Sequence, residues 1–441
     1  MQEAVSRAPL IDYASHPAFR PYVAESAEAN ADVAEAIRKA DAALEQIHGS
    51  AALLPVPEIE SIYRSRVLPE LDAIARVCAA KLAPELPIAK VAAAAVAECR
   101  EELLKAACFE NDKKRPWRGG RLLPAAERVA DDLSLRGISL HHMPQATLDA
   151  IEADVGPLRG RLLEQSQRNG GDRCALALPP SGAYWAEITN FLQKSGILGG
   201  CSYSRRELLE PAHCGLVYSH DGERWWQGCY ADVGIGTTRT VYMHNDKDFD
   251  YMKVMIYLGR VDETQGPFCF LPGSHRWQRS RTQSFFFKAL DSALNANFAP
   301  REPVRTVYYR KTYRHPEFRS QLMLLPAPLR GSSHFGDDVL DDAEQSKFLL
   351  AQELTITTDV ANCMAFIGAD GIHRGGTVTR GNRWALQLFM HRLPPVHRRL
   401  ERSTKAAYGK ARSTIRGAVR RMIGDRGIQA ARSLAGRLAG R

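Results

Sequence analysis

The sequence predicts an α+β protein, with a helical front, a strand-rich domain of sandwich or barrel type, and a basic helical tail. Three observations carry this. Val33, Ile37, Ala40, Leu44 and Ile47 recur at three- and four-residue steps, the stripe of one helix face. From about Cys174 the chain turns to short apolar runs with Gly and Pro punctuation: CALALPPSG, MKVMIYLG, FCFLPG, ELTITTD, CMAFIGADG and RWALQLFMHRL. From His391 to Arg441 there are fourteen Lys and Arg against two acids, so the tail carries +12 of a chain whose net charge is +9. The remainder is therefore slightly acidic, and the basic character says nothing about the charge of the active domain.

At 441 residues, with 45% apolar and 25% charged residues, the chain has the length of two or three globular domains. No run of about 18 apolar residues marks a membrane-spanning helix. The first thirty residues lack the charged start and apolar block of a secretory signal. Nine cysteines are scattered without a two-residue spacing, several inside apolar runs, which is the usage of reduced thiols. The expected location is cytoplasmic, and a zinc or disulfide framework is not expected.

Taken in order, residues 1–115 read as a mostly helical accessory region. After the Val33–Ile47 stripe, with Gly49 as its stop, a second helix runs over Ile59–Leu82 with a kink near Pro69. An Ala-rich third follows from Pro87 to Cys108. NDKKRPWRGGR (Asn111–Arg121) is charged and broken by Pro116 and Gly119-Gly120, and reads as a solvated linker. The main domain spans 122–395. It opens with a helix over Ala125–Leu135, the segment Arg136–Leu140, and an amphipathic helix over Thr147–Gln165, before the strands begin. A long, irregular, basic and aromatic insertion occupies about 276–352, and an insertion of that size is usually a lid or substrate-binding element. Residues 396–441 form the basic amphipathic tail, with Ile415, Val419 and Met422 on one face, and Ile428, Ala431, Leu434 and Leu438 on another. Such a helix suits an anionic membrane surface or a protein partner, and nucleic acid less well. Its glycines weaken it as an isolated helix.

The chemistry concentrates in VYMHNDKDFDYMKVMIYLGRVDETQGPFCFLPGSHRW (Val241–Trp277). In an extended strand residues i and i+2 point to one side, so His244 and Asp246 can aim an imidazole and a carboxylate at one metal ion. A His-x-Asp pair alone is expected about once by chance in a chain with thirteen histidines. The third ligand of a non-haem iron site should come from a later strand. His373, in FIGADGIHRGGTVTRGNRWALQLFM, is the candidate. Arg383 follows ten residues on, at the start of another apolar strand, where a guanidinium can grip a carboxylate with two parallel hydrogen bonds. His275, in the Pro-Gly-Ser-His turn, has no such following strand and reads as a structural hydrogen-bonding residue. His141, His142, His213 and His220 carry no further signal, and Trp225 and Trp226 read as core.

These residues resemble the phytanoyl-CoA dioxygenase family of iron(II)- and 2-oxoglutarate-dependent oxygenases. The resemblance rests on His244-Asn245-Asp246, the turn VDETQGPFCFLPGSH, His373 with Arg383, and LSLRGISLHHMPQATLDAIEADV near the start. It covers roughly residues 128–395. It implies a double-stranded β-helix, or jelly roll, with Fe(II) bound by the catalytic residues His244, Asp246 and His373. It also implies 2-oxoglutarate anchored by Arg383, and O2 as oxidant. The implied activity is hydroxylation of a small or medium organic substrate with release of succinate and CO2. Halogenating relatives carry a small residue where this chain has Asp246. Members often have a hydroxyl residue two positions after the distal His; here that position is Gly375, with Thr377 close behind. Two rivals stay open on the sequence. One is a metal-binding jelly roll that binds or senses without 2-oxoglutarate turnover, and the other is a membrane-peripheral scaffold using the tail.

Overall fold

An apolar residue every three or four positions builds the front of the molecule. In the computed structural model, which describes residues 30–115, 117, 120–168, 174–221, 243–246, 252–276, 280–298, 320–331, 333, 335 and 343–392, helix α1 (Ala31–Gly49) buries the predicted stripe. The second predicted helix is two, α2 (Val56–Ile62) and α3 (Leu68–Lys81), joined by a π-helical turn at Tyr63–Val67. Pro69 explains the wide turn, because it has no N–H to give the preceding turn and its ring crowds the carbonyl there. Helix α4 (Pro87–Asp112) runs four residues further than expected. The linker reading fails at its first residue. Asn111 is buried, its amide pairing with both backbone groups of Leu54 at 2.9 and 3.0 Å, so the charged segment begins inside the fold.

Helix α5 (Pro124–Arg136) leads into strand β1 (Ile138–His141). The single helix expected over 147–165 is broken at Gly156-Pro157 into α6 (Gln145–Val155) and α7 (Arg159–Arg168), again because proline cannot donate to the ladder. Strand β2 (Cys174–Leu178) is followed by two helices that sequence reading had not separated from the strands, α8 (Ala183–Lys194) and α9 (Ile197–Arg205). Their buried residues, Tyr184, Ile188 and Leu192 and then Ile197 and Cys201, keep helical spacing.

The remaining strands are β3 (Leu209–His220), β4 (Met252–Tyr257), β5 (Phe268–Phe270), β6 (Leu354–Ile356), β7 (Cys363–Ile367), β8 (His373–Gly375) and β9 (Asn382–Arg392). They form a six-stranded sheet of order β1-β7-β4-β9-β3-β2 and a three-stranded sheet of order β6-β5-β8, and the pairings with a described register are antiparallel. Strand β4 is buried on both faces. Met252, Val254 and Ile256 pack under helices α6, α8 and α9. Met255 and Tyr257 face the small sheet, where Phe268, Phe270 and Phe366 complete an aromatic layer. The described residues are thus a mixture of helices and antiparallel sheet, with two sheets face to face. Between β4 and β5, Gly266 (φ +67°) brings its backbone so close to Gly376 that a Cβ would strike the Gly376 carbonyl.

The insertion is where the structure departs most from the irregular reading. Its SFFFKAL stretch lies in an amphipathic helix, α10 (Arg281–Phe298), and a further helix α11 (Ala343–Gln352) closes the segment. Phe286, Phe287, Leu290 and Leu294 of α10 share one core with α1, α3 and α4. Three consecutive phenylalanines conceal the helical period, since a continuous apolar run suits a strand or a helix equally. The aromatic stretch at 307–319, Trp225 and Trp226, and the basic tail lie outside the described residues. Among the described residues no helix is long and apolar enough to cross a membrane.

Cys78, Cys99, Cys201, Cys214, Cys269 and Cys363 are buried free thiols, and burial pushes Cys78 up to about 11 and Cys201 up to about 12. They are protonated and inert at neutral pH. On the outer face of β8, Arg374 and Glu353 form a two-pronged pair at 2.7 and 2.8 Å with side chains only 10% exposed. Glu353→Gln would strand the guanidinium, and the expected result is a loss of about 3 kcal/mol in urea unfolding. A loss under about 1 kcal/mol would mean that solvent already screens this pair.

Candidate metal centre

His244, Asp246 and His373 meet although 127 positions separate the last two. The segment 243–246 lies in extended backbone beside β8. His244 and His373 exchange both backbone hydrogen bonds (3.0 and 2.8 Å), and the Asp246 N–H donates to the Gly368 carbonyl at 2.8 Å. The two-residue spacing then turns both side chains toward His373, as expected of a strand. Nε2 of His244 stands 3.9 Å from Asp246 Oδ1, and Nε2 of His373 stands 3.7 Å from Asp246 Oδ2. The three donor atoms all lie within 4.8 Å of one another.

The surroundings fix the chemical form of His373 and Asp246. Nδ1 of His373 lies 2.9 Å from the Gly371 carbonyl, so the proton belongs there and Nε2 presents its lone pair to the centre. Burial pushes the His373 imidazole below its ordinary value, toward the neutral form that binds metal. Phe366, Phe268 and Phe270 surround the ring at centroid distances of 5.1, 5.7 and 6.5 Å. Burial alone would push the Asp246 carboxyl up. The Lys253 ammonium, with His373 and His244 behind it, outweighs that and holds Asp246 well below the usual carboxylate range. Lys253 Nζ lies 2.8 Å from both carboxylate oxygens. A neutral imidazole with an oriented lone pair and an ionised carboxylate facing a second imidazole suit a divalent ion of intermediate hardness.

Gly368 makes room for this carboxylate. A Cβ there would run into Asp246 Oδ2, and the lysine stem flanks the other side. Its backbone conformation does not demand glycine, so the reason is space alone. Gly368→Ala is expected to swing the carboxylate aside and weaken Co(II) binding at least ~10-fold in a spectrophotometric titration. Unchanged affinity would show that the strand yields instead.

Arg383 is buried at the start of β9 and donates from Nη2 to Ser219 Oγ at 3.4 Å. It lies two residues before Ala385, which belongs to the layer between the sheets, so it shares that inner face. The Gly375 backbone passes close by, and a Cβ there would sit 3.5 Å from Arg383 Nη2, an ordinary contact. Gly375 is two residues along β8 from His373, about 7 Å of strand. The guanidinium and the three-donor cluster therefore lie on one inner surface. Thr377 is half-buried beyond it.

His275 takes the structural part assigned to it, with its Nε2 2.9 Å from the Ser134 carbonyl and its ring against Gly137. His141 bonds to Ser139, and His213 packs against His391. Sequence reading missed Lys253. Its one signal was a lone charge inside the apolar run MKVMIY, the reverse of what a two-sided buried strand requires. It also missed Gly368, which carried no signal. A cleft of about 400 Å³ lined by Gln145, Asp149, Glu152 and Arg260 contains none of the metal-centre side chains.

No family model matches this chain, and no curated protein sequence matches it. Among solved structures, it is similar to the non-haem α-ketoglutarate-dependent epimerase SnoN from nogalamycin biosynthesis, at 11% identity and a TM-score of 0.31. That similarity covers 61% of this chain and 83% of that one. It is also similar to EctD from S. alaskensis with 2-oxoglutarate and 5-hydroxyectoine, at 10% identity and a TM-score of 0.35, over 63% of this chain and 79% of that one. The non-haem monooxygenase ThoJ matches at 12% identity and a TM-score of 0.32, covering 60% and 77% of the two chains. Likenesses this loose carry no argument about what the centre does; its own geometry has to.

Proposed function

We propose that the chain is an iron(II)- and 2-oxoglutarate-dependent oxygenase of the phytanoyl-CoA dioxygenase type. In this reading the two facing sheets are its jelly roll and a small or medium organic molecule is hydroxylated. The observation that carries it is the convergence of His244, Asp246 and His373 on one point, on the same inner surface as a buried arginine. Iron and 2-oxoglutarate, when bound, supply the oxidising chemistry, with succinate and CO2 as the coproducts.

The chain's own residues bind, orient and exclude water. His244, Asp246 and His373 would hold the metal, with positions left for exogenous ligands because the described residues offer only these three donors there. Arg383 would meet the distal carboxylate of the keto-acid and fix its orientation. Phe366, Phe268 and Phe270 keep the His373 side of the centre dry. Gly375 leaves open the place where relatives often put a hydroxyl, so the burden of holding that carboxylate falls more heavily on Arg383. The test is succinate formation from 2-oxoglutarate with Fe(II) and ascorbate, which runs uncoupled without the organic substrate. Succinate that depends on added iron supports the reading, and a wild-type protein that binds no divalent metal overturns it.

A further inference from the structure

Helix α10 presents two buried charges to segments that flank the metal centre, and the reaction just proposed uses neither. Lys288 and Asp291 are three residues apart, on one side of the helix, and both are almost fully inaccessible. Lys288 Nζ donates to the Ala369 carbonyl at 2.9 Å. The Asp291 carboxylate accepts from the Ser333 N–H at 3.0 Å and from the Ser333 hydroxyl. A helix that needed only to pack would place apolar residues here, because burying an ammonium and a carboxylate costs free energy that specific partners must offset.

Both partners are one step from the metal ligands, on opposite sides. Ala369 follows Gly368, whose carbonyl holds the Asp246 N–H and whose missing side chain makes room for the carboxylate. Ser333 gives its carbonyl to the Asn245 N–H at 3.2 Å, and Phe335 donates to the Met243 carbonyl at 2.8 Å. The segment 243–246 is thus held along one edge by Ser333 and Phe335 and along the other by Gly368 and His373. One side of α10 fastens both edges. The apolar side of α10, through Phe286, Phe287, Leu290 and Leu294, belongs to the core of the front helices.

We infer that α10 is a brace for the metal centre, with Asp291 and Lys288 as positioning residues that fix the spacing of His244, Asp246 and His373 through the backbone. The front helices then form the foundation on which that brace rests. This gives the insertion a part besides any contact with substrate. Metal affinity depends on ligand spacing, and loss of an outer-shell support costs roughly 10–100-fold.

The inference rests on His244, Asp246 and His373 binding metal, so the experiment separates the two. Co(II) is titrated into the full-length wild type and into Asp291→Ala, Asp291→Asn and Lys288→Met. Affinity and the visible ligand-field spectrum are read well below each variant's melting temperature. Expected are a 10–100-fold weaker affinity and an altered spectrum for Asp291→Ala and Lys288→Met, with Asp291→Asn, which still accepts one hydrogen bond, recovering most of both. If the wild type binds no Co(II), the metal reading itself fails. If the wild type binds and the folded variants match it in affinity and spectrum, the brace is overturned. Should Asp291→Ala fail to fold, Asp291→Asn against Lys288→Met decides on the same two readouts.

Discussion

Asp246→Ala is expected to abolish tight metal binding and, separately, to destabilise the metal-free protein. The two effects have different causes. Asp246 is the one anionic donor of the three, and its oxygens face Nε2 of both histidines at 3.7 and 3.9 Å. Without it two imidazoles remain. Affinity for Co(II) should then fall by more than the roughly 10–100-fold that an outer-shell loss costs. The stability effect comes from Lys253. Its ammonium is buried with Asp246 as its counter-charge, and removing one member of such a pair costs about 3–5 kcal/mol because the other stays buried and unbalanced. Combining Asp246→Ala with Lys253→Met removes both charges. The double variant should regain most of the stability in urea unfolding while binding Co(II) no better than Asp246→Ala. If Asp246→Ala binds Co(II) as tightly as the wild type, the centre is wrongly assigned. If the double variant stays as unstable as the single one, the lysine is not the cause.

The three converging donors were legible in the sequence and their supports were not, for a physical reason. A His-x-Asp spacing in a strand is local, because strand geometry alone puts both side chains on one side. His373 and Arg383 were found by order and distance along the chain, and the structure brings His373 to Asp246 and puts Arg383 on the same inner surface. Lys253, Gly368, Lys288 and Asp291 act through contacts that span elements, to an oxygen, a carbonyl or an absent Cβ, and no spacing rule encodes those. The same division holds for the fold. The stripe of α1 could be read from period, and the strands from short apolar runs punctuated by Gly and Pro. The breaks at Pro69 and Pro157 were marked by proline, yet the second was read through. Helix α10 was hidden because its apolar residues are contiguous, and what makes it a helix is the core it shares with α1, α3 and α4. Tertiary packing decided an ambiguity that local sequence left open.

Arg383→Ala should leave metal binding intact and remove most of the affinity for 2-oxoglutarate. The guanidinium belongs to β9, its described hydrogen bond runs to Ser219, and the described bonds that hold the backbone of His244 and Asp246 run instead to His373 and Gly368. If Arg383 holds a keto-acid's distal carboxylate, its contribution is a charge-assisted fork, and truncating one partner of such a charge pair costs roughly 2–5 kcal/mol, some 30- to several-thousand-fold in affinity. Calorimetric titration of 2-oxoglutarate into Co(II)-loaded protein measures this without turnover. Arg383→Lys distinguishes charge from geometry. A lysine keeps the charge but loses the planar fork, so an affinity between wild type and Arg383→Ala is expected. Gly375→Ser adds a hydroxyl two residues along β8 from His373. Its Cβ would stand at an ordinary 3.5 Å from Arg383 Nη2, so the strand can accept it without moving the arginine. If Arg383 holds the keto-acid's distal carboxylate, that hydroxyl should tighten 2-oxoglutarate in the wild-type background and partly rescue Arg383→Lys. Unchanged affinity in Arg383→Ala would instead put the keto-acid away from Arg383, and Gly375→Ser would then have no effect in either background.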